Sequence, residues 1–202
     1  SYAGAKSIYA TDYSSVAIKL AKSRYNLPNI NFEVKNYREI ECKYDIVVLQ
    51  GVLEHFDEPF KELDYMVNNL LKENGVIITS SPSFINPRGY VWMTLALLFD
   101  VKMSLTDKHF ICPFNFEEYC KKNNFYLKYK STYLERAAGQ DTIVDFKKRL
   151  TNALKDNNVS KTKIYKLLDW LSNAVNYFDH NDATGAMVAY KIIPSKDYKH
   201  LS

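Results

Sequence analysis

Two histidines stand where an imidazole could move a proton. His109 lies in Leu105-Thr106-Asp107-Lys108-His109-Phe110, two residues after a carboxylate that could set its tautomer. It reads either as a general base for an O–H or N–H group or as a histidine that packs the segment around it. His55, in Leu53-Glu54-His55, faces the same choice between a base and a residue that satisfies the start of the next helix. Asp12 offers two carboxylate oxygens, which match the two vicinal hydroxyls of a ribose. Its plain reading is a helix cap. Asn36-Tyr37, Gln50-Gly51 and Ser80–Ser83 complete the polar positions that fall at the ends of apolar runs.

Those positions matter because of the elements that carry them. Lys6–Ala10 reads as a short strand, and Ser14-Ser15 can cap a helix with Ala17, Leu20, Ala21 and Tyr25 on one side. Leu27-Pro28-Asn29 stops that helix, and Ile30–Val34 alternates as a strand. Asp45–Gln50 is a continuous apolar strand, as in a sheet covered on both faces. Asp57-Glu58-Pro59 opens a helix bearing Phe60, Leu63, Val67, Leu70 and Leu71, and Glu73-Asn74-Gly75 should close it with a left-handed cap. Val76–Ser80 is the next buried strand. This alternation predicts an α/β fold with a mostly parallel, doubly wound sheet, in which ligands bind beyond the carboxyl ends of the strands.

After Ser83 the pattern breaks, and residues 84–112 are apolar and irregular. Asn115 and Glu118 should form a capping box, with Phe114 and Tyr119 as its hydrophobic staple. Tyr126–Thr132 reads as a strand. Two amphipathic helices follow, one with Ile143, Phe146, Leu150 and Leu154, the other with Ile164, Leu167, Leu168, Leu171, Val175 and Phe178. Thr184–Ile193 is a final strand stopped by Pro194. There is no internal repeat.

Composition bounds the function. The 202 residues are 47% hydrophobic and 25% charged, which excludes a disordered chain or a disulfide mini-protein. Lys and Arg number 27 against 23 Asp and Glu, and the resulting +4 does not imply nucleic acid. Cys42, Cys112 and Cys120 are odd in number and without CxxC spacing, so no metal site or disulfide framework is expected. A reducing, cytoplasmic setting is the simplest reading. The longest apolar run, Val91–Phe99, is far short of the ~20 residues of a membrane span. Residues 147–166 hold seven basic side chains and one acidic, either a solvated face or an attractor for an anionic substrate. Tyr126 and Lys130 have the Tyr-x-x-x-Lys spacing of short-chain dehydrogenases, but inside a strand it reads as chance.

Several runs together carry a resemblance: Tyr9-Ala10-Thr11-Asp12-Tyr13-Ser14, Phe32-Glu33-Val34-Lys35-Asn36-Tyr37, Tyr44-Asp45-Ile46-Val47-Val48-Leu49-Gln50-Gly51-Val52-Leu53-Glu54-His55 and Leu71-Lys72-Glu73-Asn74-Gly75-Val76-Ile77-Ile78. In this order they resemble class I S-adenosylmethionine-dependent methyltransferases, nearest the branch with the ubiquinone-pathway O-methyltransferases. The resemblance covers residues 1–83 well and the elements after Phe114 more loosely. It implies a Rossmann-like fold and S-adenosylmethionine as cofactor. Asp12 would hold the ribose, Tyr13 would flank the adenine and the Tyr37 N–H would meet the adenine ring. Asn36 stands where this family usually has an Asp reading the adenine amino group, so an acceptor is kept and a charge is lost. Gln50 and Gly51 would pass close to the methionine part. His109 or His55 would be the base for a small-molecule acceptor, methylated on oxygen or nitrogen.

The implied layout is one domain: 1–83 cofactor-binding core, 84–112 acceptor lid, 113–134 core, 135–182 helical insertion and 183–194 last core strand. Phe84, Ile85, Tyr90, Trp92, Met93, Leu97 and Phe99 in the lid either wall an acceptor pocket, suited to a ring, a lipid-like group or a glycan, or simply pack. The family's glycine-rich loop is not seen before Asp12. Ser1-Tyr2-Ala3-Gly4 fits the end of the helix after that loop, so the first, central strand is expected upstream, and a gap between the Lys6–Ala10 and Asp45–Gln50 strands. Two rivals remain: a nucleotide-sugar or dinucleotide Rossmann enzyme, marked by an upstream phosphate-cradling glycine motif, and a non-catalytic, methyltransferase-like binding subunit.

Overall fold

The computed structural model describes residues 3–102 and 107–194. They form two units, Ser1–Lys43 and Tyr44–Ser202. In the first, Ile8–Asp12 (β1) and Ile30–Val34 (β2) pair in parallel, from Ile8 opposite Ile30 to Asp12 opposite Val34. The first strand starts two residues later than the sequence suggests, because its ladder opens only where the Ile8 N–H reaches the Asn29 carbonyl at 2.8 Å. Asp12 is therefore the last strand residue. Ser15–Arg24 (α1) begins where the Ser14 hydroxyl accepts the Ala17 N–H at 3.2 Å. Gly4 has φ +81°, the left-handed conformation a helix cap uses, while Ser1 and Tyr2 lie outside the described residues.

The second unit is built on a four-stranded sheet. Tyr44–Gln50 (β3) runs parallel to Leu71–Pro82 (β4); Tyr126–Thr132 (β5) and Met187–Ile193 (β6) complete the order β3-β4-β6-β5. The strand β6 is antiparallel to both neighbours, so this sheet is mixed. Thr184, Gly185 and Ala186, expected within the last strand, precede it. β1 and β3 belong to different sheets.

Between β3 and β4 lies Pro59–Asn69 (α2), which buries Leu63 and Met66. The expected cap at Glu73-Asn74-Gly75 is not a helix end. The helix stops at Asn69, and those residues belong to β4, beside a register shift between Tyr44 and Ile46. Asn74, not the glycine, takes the left-handed φ of 61°. Gly75 serves close approach: a Cβ there would lie 3.0 Å from the Lys72 carbonyl and 3.1 Å from that of Tyr44.

The segment after Ser83 is also more regular than expected, because it holds the helix Pro87–Phe99 (α3). Asn86, 1% exposed, caps it by accepting the Gly89 N–H at 2.8 Å, and its amide donates to the Ser83 and Gly185 carbonyls. Gly89 hid this helix from the sequence. It is required, because a Cβ there would lie 2.2 Å from the Phe84 carbonyl oxygen. Pro113–Asn123 (α4) starts at Cys112, whose N–H is accepted by Asn115 Oδ1 at 2.8 Å, so Asn115 is the third residue of the box and not its cap. Phe116 of α4 stacks on Tyr190 of β6 with ring centroids 3.9 Å apart.

Leu134–Ala138 (α5), Gln140–Ala153 (α6) and Lys161–Ala174 (α7) fill the predicted helical insertion. Trp92 and Val101 pack with Phe146, Leu150, Leu154, Ile164, Leu168 and Leu171 into one core. The helix α3 is thus fixed to α6 and α7 by apolar burial. Among the described residues no helix is long and apolar enough to cross a membrane.

Candidate functional site

In the first unit, parallel pairing sets the ends of β1 and β2 side by side. The Lys35 N–H donates to the Asp12 carbonyl at 3.1 Å, which fixes that register one residue before Asn36. The exposed Asp12 carboxylate accepts the Ser14 N–H on Oδ1 at 2.7 Å. One carboxylate oxygen therefore shapes the turn into α1, and Oδ2 remains to accept from a hydroxyl. Asn36 Oδ1 accepts the Arg38 N–H at 2.9 Å and so caps a 3-10 turn at Tyr37–Glu39. Tyr13 is 88% exposed, an unpacked aromatic ring beside Asp12.

In the second unit, β3 ends at Gln50 and turns at Gly51, whose φ is +61° and whose N–H donates to the Ser80 carbonyl at 3.0 Å. A Cβ on Gly51 would lie 3.6 Å from Glu54 Oε1. Glu54 is 4% exposed, and its Oε2 has no hydrogen-bond partner among the described residues. Burial raises its pKa above the ordinary glutamate range. Its carbonyl accepts the N–H groups of Lys108 at 2.8 Å and His109 at 3.2 Å, so the end of the lid is clamped onto the turn at Leu53–His55.

The two histidines differ in what holds them. His109 Nε2 lies 2.9 Å from the Asp57 carbonyl; a carbonyl only accepts, so Nε2 carries the proton and Nδ1 is the basic nitrogen. Lys108 pairs with the same residue at 2.6 Å and holds the Asp57 carboxyl below its ordinary range. Together these contacts tie the segment at Lys108-His109 to Asp57 and to the turn at Leu53–His55. His55 is placed otherwise: its Nδ1 lies 3.4 Å from Asp107 Oδ1, a contact that orients the ring. Leu105 and Thr106, part of the His109 motif, lie outside the described residues.

Asp107 also lines a cavity of about 700 Å³ contained within the second unit. Phe84, Phe110 and Trp92 give it apolar walls, with the Phe84 and Phe110 rings edge to face at 5.3 Å. Asp141, Val144, Asp145, Lys148 and Arg149 face it from α6, at the spacing of one helix side. Of the seven lid residues read as a candidate wall, Phe84 and Trp92 line the cavity, while Tyr90, Leu97 and Phe99 are exposed.

The structure thus gathers Asp12, Tyr13, Asn36 and Tyr37 at the strand ends of one unit, and Gln50, Gly51, His55 and His109 around β3 and the lid of the other. Sequence reasoning missed Glu54 as a site residue. The signal was a lone acid inside Val52-Leu53-Glu54, which reads as solvent-facing until the turn buries it. It also missed Arg88 and Arg136 on the cavity wall, since neither belongs to the basic run at 147–166. Among the described residues no group of three His, Cys, Asp or Glu could hold a metal. Cys112 and Cys120 are buried, and burial pushes the Cys120 thiol up to about 12, which makes it inert.

Comparison with known proteins agrees with this architecture. The cyclopropane synthase MmaA2 from Mycobacterium tuberculosis is 13% identical, with 92% of this chain covering 68% of that one at a TM-score of 0.51. The mycolic acid cyclopropane synthase CmaA1, crystallised with SAH and CTAB, gives the same values. The plantazolicin methyltransferase BpumL, crystallised with SAH and a monoazolic desmethylPZN analog, is 14% identical over 93% of this chain and 66% of its own, at a TM-score of 0.47. The chain therefore spans about two thirds of the length of these proteins. No curated protein matches the sequence. The two cyclopropane synthases share its fold, the Rossmann-like fold of class I methyltransferases. A family described as a methyltransferase domain matches residues 2–169, most of the chain, and the protein belongs to that family.

Proposed function

We propose that this protein transfers a methyl group from S-adenosylmethionine to oxygen or nitrogen of a small molecule. Membership of the methyltransferase-domain family carries the reading. When bound, S-adenosylmethionine supplies an electrophilic methyl group on a sulfonium. The residues present suit such a group. Asp12 keeps an oxygen for a ribose hydroxyl, Tyr13 offers an open ring to the adenine, and Asn36 and Tyr37 stand at the neighbouring strand end. Gly51 keeps the end of β3 clear of a side chain, which lets Gln50 and Gly51 face the methionine part. SAH in the CmaA1 and BpumL crystals is in keeping with this cofactor.

Transfer to an O–H or N–H acceptor needs alignment and a base. His55, oriented by Asp107, is the base we favour; His109 is the second candidate and acts first as a tether. The cavity beside Asp107 is the acceptor site in this reading. The ubiquinone-pathway branch and a cytoplasmic, reducing setting belong to the same proposal; the first rests on the run Tyr44–His55, the second on three unpaired cysteines.

Calorimetry with S-adenosylhomocysteine and NAD tests the reading. S-adenosylhomocysteine should bind and NAD should not. Tight NAD binding with no response to S-adenosylhomocysteine would overturn it in favour of a dinucleotide enzyme.

A further inference from the structure

The cavity wall is charged in an uneven way. Asp145 is shared by two guanidinium groups, Arg88 Nε at 3.1 Å and Arg149 at 3.4 Å. Arg149 also lies over the Trp92 ring at 4.5 Å, so its guanidinium is pinned between a carboxylate and an aromatic face. Two more cations face the cavity. Arg136 rests over the Tyr133 ring at 5.4 Å, and neither it nor Lys148 forms an ion pair among the described residues. Of the lining carboxylates outside that cluster, Asp107 is engaged by His55, and Asp141 sits in the first turn of α6, where the helix dipole favours a carboxylate.

We propose that this cavity takes an acceptor carrying an oxyanion, a carboxylate or a phosphate ester, seated against Arg136 and Lys148 with its apolar body between Phe84, Phe110 and Trp92. The inference rests on the cavity being the acceptor site and narrows the acceptor to an anion. The lining carries four cations, Arg88, Arg136, Lys148 and Arg149, against three carboxylates, Asp107, Asp141 and Asp145, so a neutral acceptor would leave one positive charge in excess. An oxyanion would replace the lost water with charge-assisted hydrogen bonds and need no rearrangement of the Arg88–Asp145–Arg149 cluster. The same geometry separates the cavity from the basic run as a whole. Lys148, itself exposed, and the half-buried Arg149 line the cavity, while Lys161, Lys163 and Lys166 lie on α7 outside its lining.

Trp92 reports on the site directly. It is 2% exposed and lines the cavity, whereas Trp170 is 65% exposed on α7, so Trp170→Phe leaves Trp92 as the sole indole. That variant is titrated with inorganic phosphate and, separately, with benzoate, at ionic strength held constant with chloride. A saturable change in Trp92 emission is expected, and the tighter probe identifies the oxyanion. Arg136→Gln with Lys148→Gln should weaken the response by at least about tenfold, the scale of one charge-assisted hydrogen bond. Lys166→Gln should leave it unchanged. S-adenosylhomocysteine binding, followed in parallel by calorimetry, should survive the double substitution. Absence of response to both probes, or an equal response in the double variant, would overturn the oxyanion site whether or not S-adenosylhomocysteine binds. A response to the probes with no binding of S-adenosylhomocysteine would uphold the anion site and overturn the methyl-transfer reading instead.

Discussion

Between residues 3 and 43 a single side chain, Ile18, is buried, whereas the rest of the chain buries Leu53, Leu63, Ile77, Phe116, Phe146 and many more. The first unit leaves Tyr13, Val16 and Val34 exposed; the second locks its lid helix onto α6 and α7 around Trp92. The difference teaches how two recognition tasks are built. In the proposed reading, adenosine recognition draws only on two paired strand ends, with carbonyls, amides and one carboxylate held by local hydrogen bonds such as Ser14 N–H to Asp12. A shaped cavity needs walls that do not yield, and those come from close packing. Stability should therefore be uneven along the chain, with β1 and β2 opening well before the α3–α6–α7 core.

The sharpest way to break this contrast is to hollow the core that one side has and the other lacks. Phe146 is fully buried and packs on Trp92 at 5.8 Å, so Phe146→Ala should cost about 3–5 kcal/mol in denaturant unfolding. A smaller effect is expected at the strand ends. Asp12→Asn keeps an acceptor for Ser14 but loses the charge, and it should weaken S-adenosylhomocysteine binding by about 1.5–3 kcal/mol in calorimetry while leaving unfolding almost unchanged. Gly51→Ala forces a side chain into a left-handed residue beside Glu54; about 1–2 kcal/mol of stability should be lost, with weaker cofactor binding.

The smallest effect concerns pH. Burial raises the folded pKa of Glu54 above its unfolded value, so the folded chain holds that proton more tightly. Its contribution to stability is present below the unfolded pKa and lost as pH rises through the folded pKa. Glu54→Gln should flatten the stability profile across that window, with its gain appearing at the higher pH. A profile of unchanged slope would mean that Glu54 ionises as freely in the fold as in the unfolded chain.

Much of this was legible in the sequence. The runs Ile30–Val34, Asp45–Gln50 and Tyr126–Thr132 alternate or stay apolar as strands must, and the stripes Phe146–Leu150 and Ile164–Leu168–Leu171 face the core the structure shows. Asp12 and Asn36 were readable because a strand end followed by a polar residue is a local signal. The helix α3 was not, since its Gly89 is demanded by the Phe84 backbone, a tertiary contact. Nor was the end of α2, which stops at Asn69, so that the left-handed Asn74 falls within β4 and not at a helix cap. The burial of Glu54 and the contact of Arg88 with Asp145 depend on distant segments, which no spacing rule reports; within that cluster only Asp145–Arg149, an i,i+4 pair on α6, is local. The two histidines read alike as candidate bases in the sequence, and only their contacts with Asp57 and Asp107 tell them apart.

Hydrogen exchange of the protein with and without S-adenosylhomocysteine tests the central claim most directly, because it reads where the cofactor is held as well as whether it binds. Protection should rise at the ends of β1 and β2, at Asp12–Ser14 and Lys35–Arg38, and at the end of β3, at Gln50–Val52, while α7 stays unchanged. No gain at those strand ends, or a gain confined to α7, would contradict it.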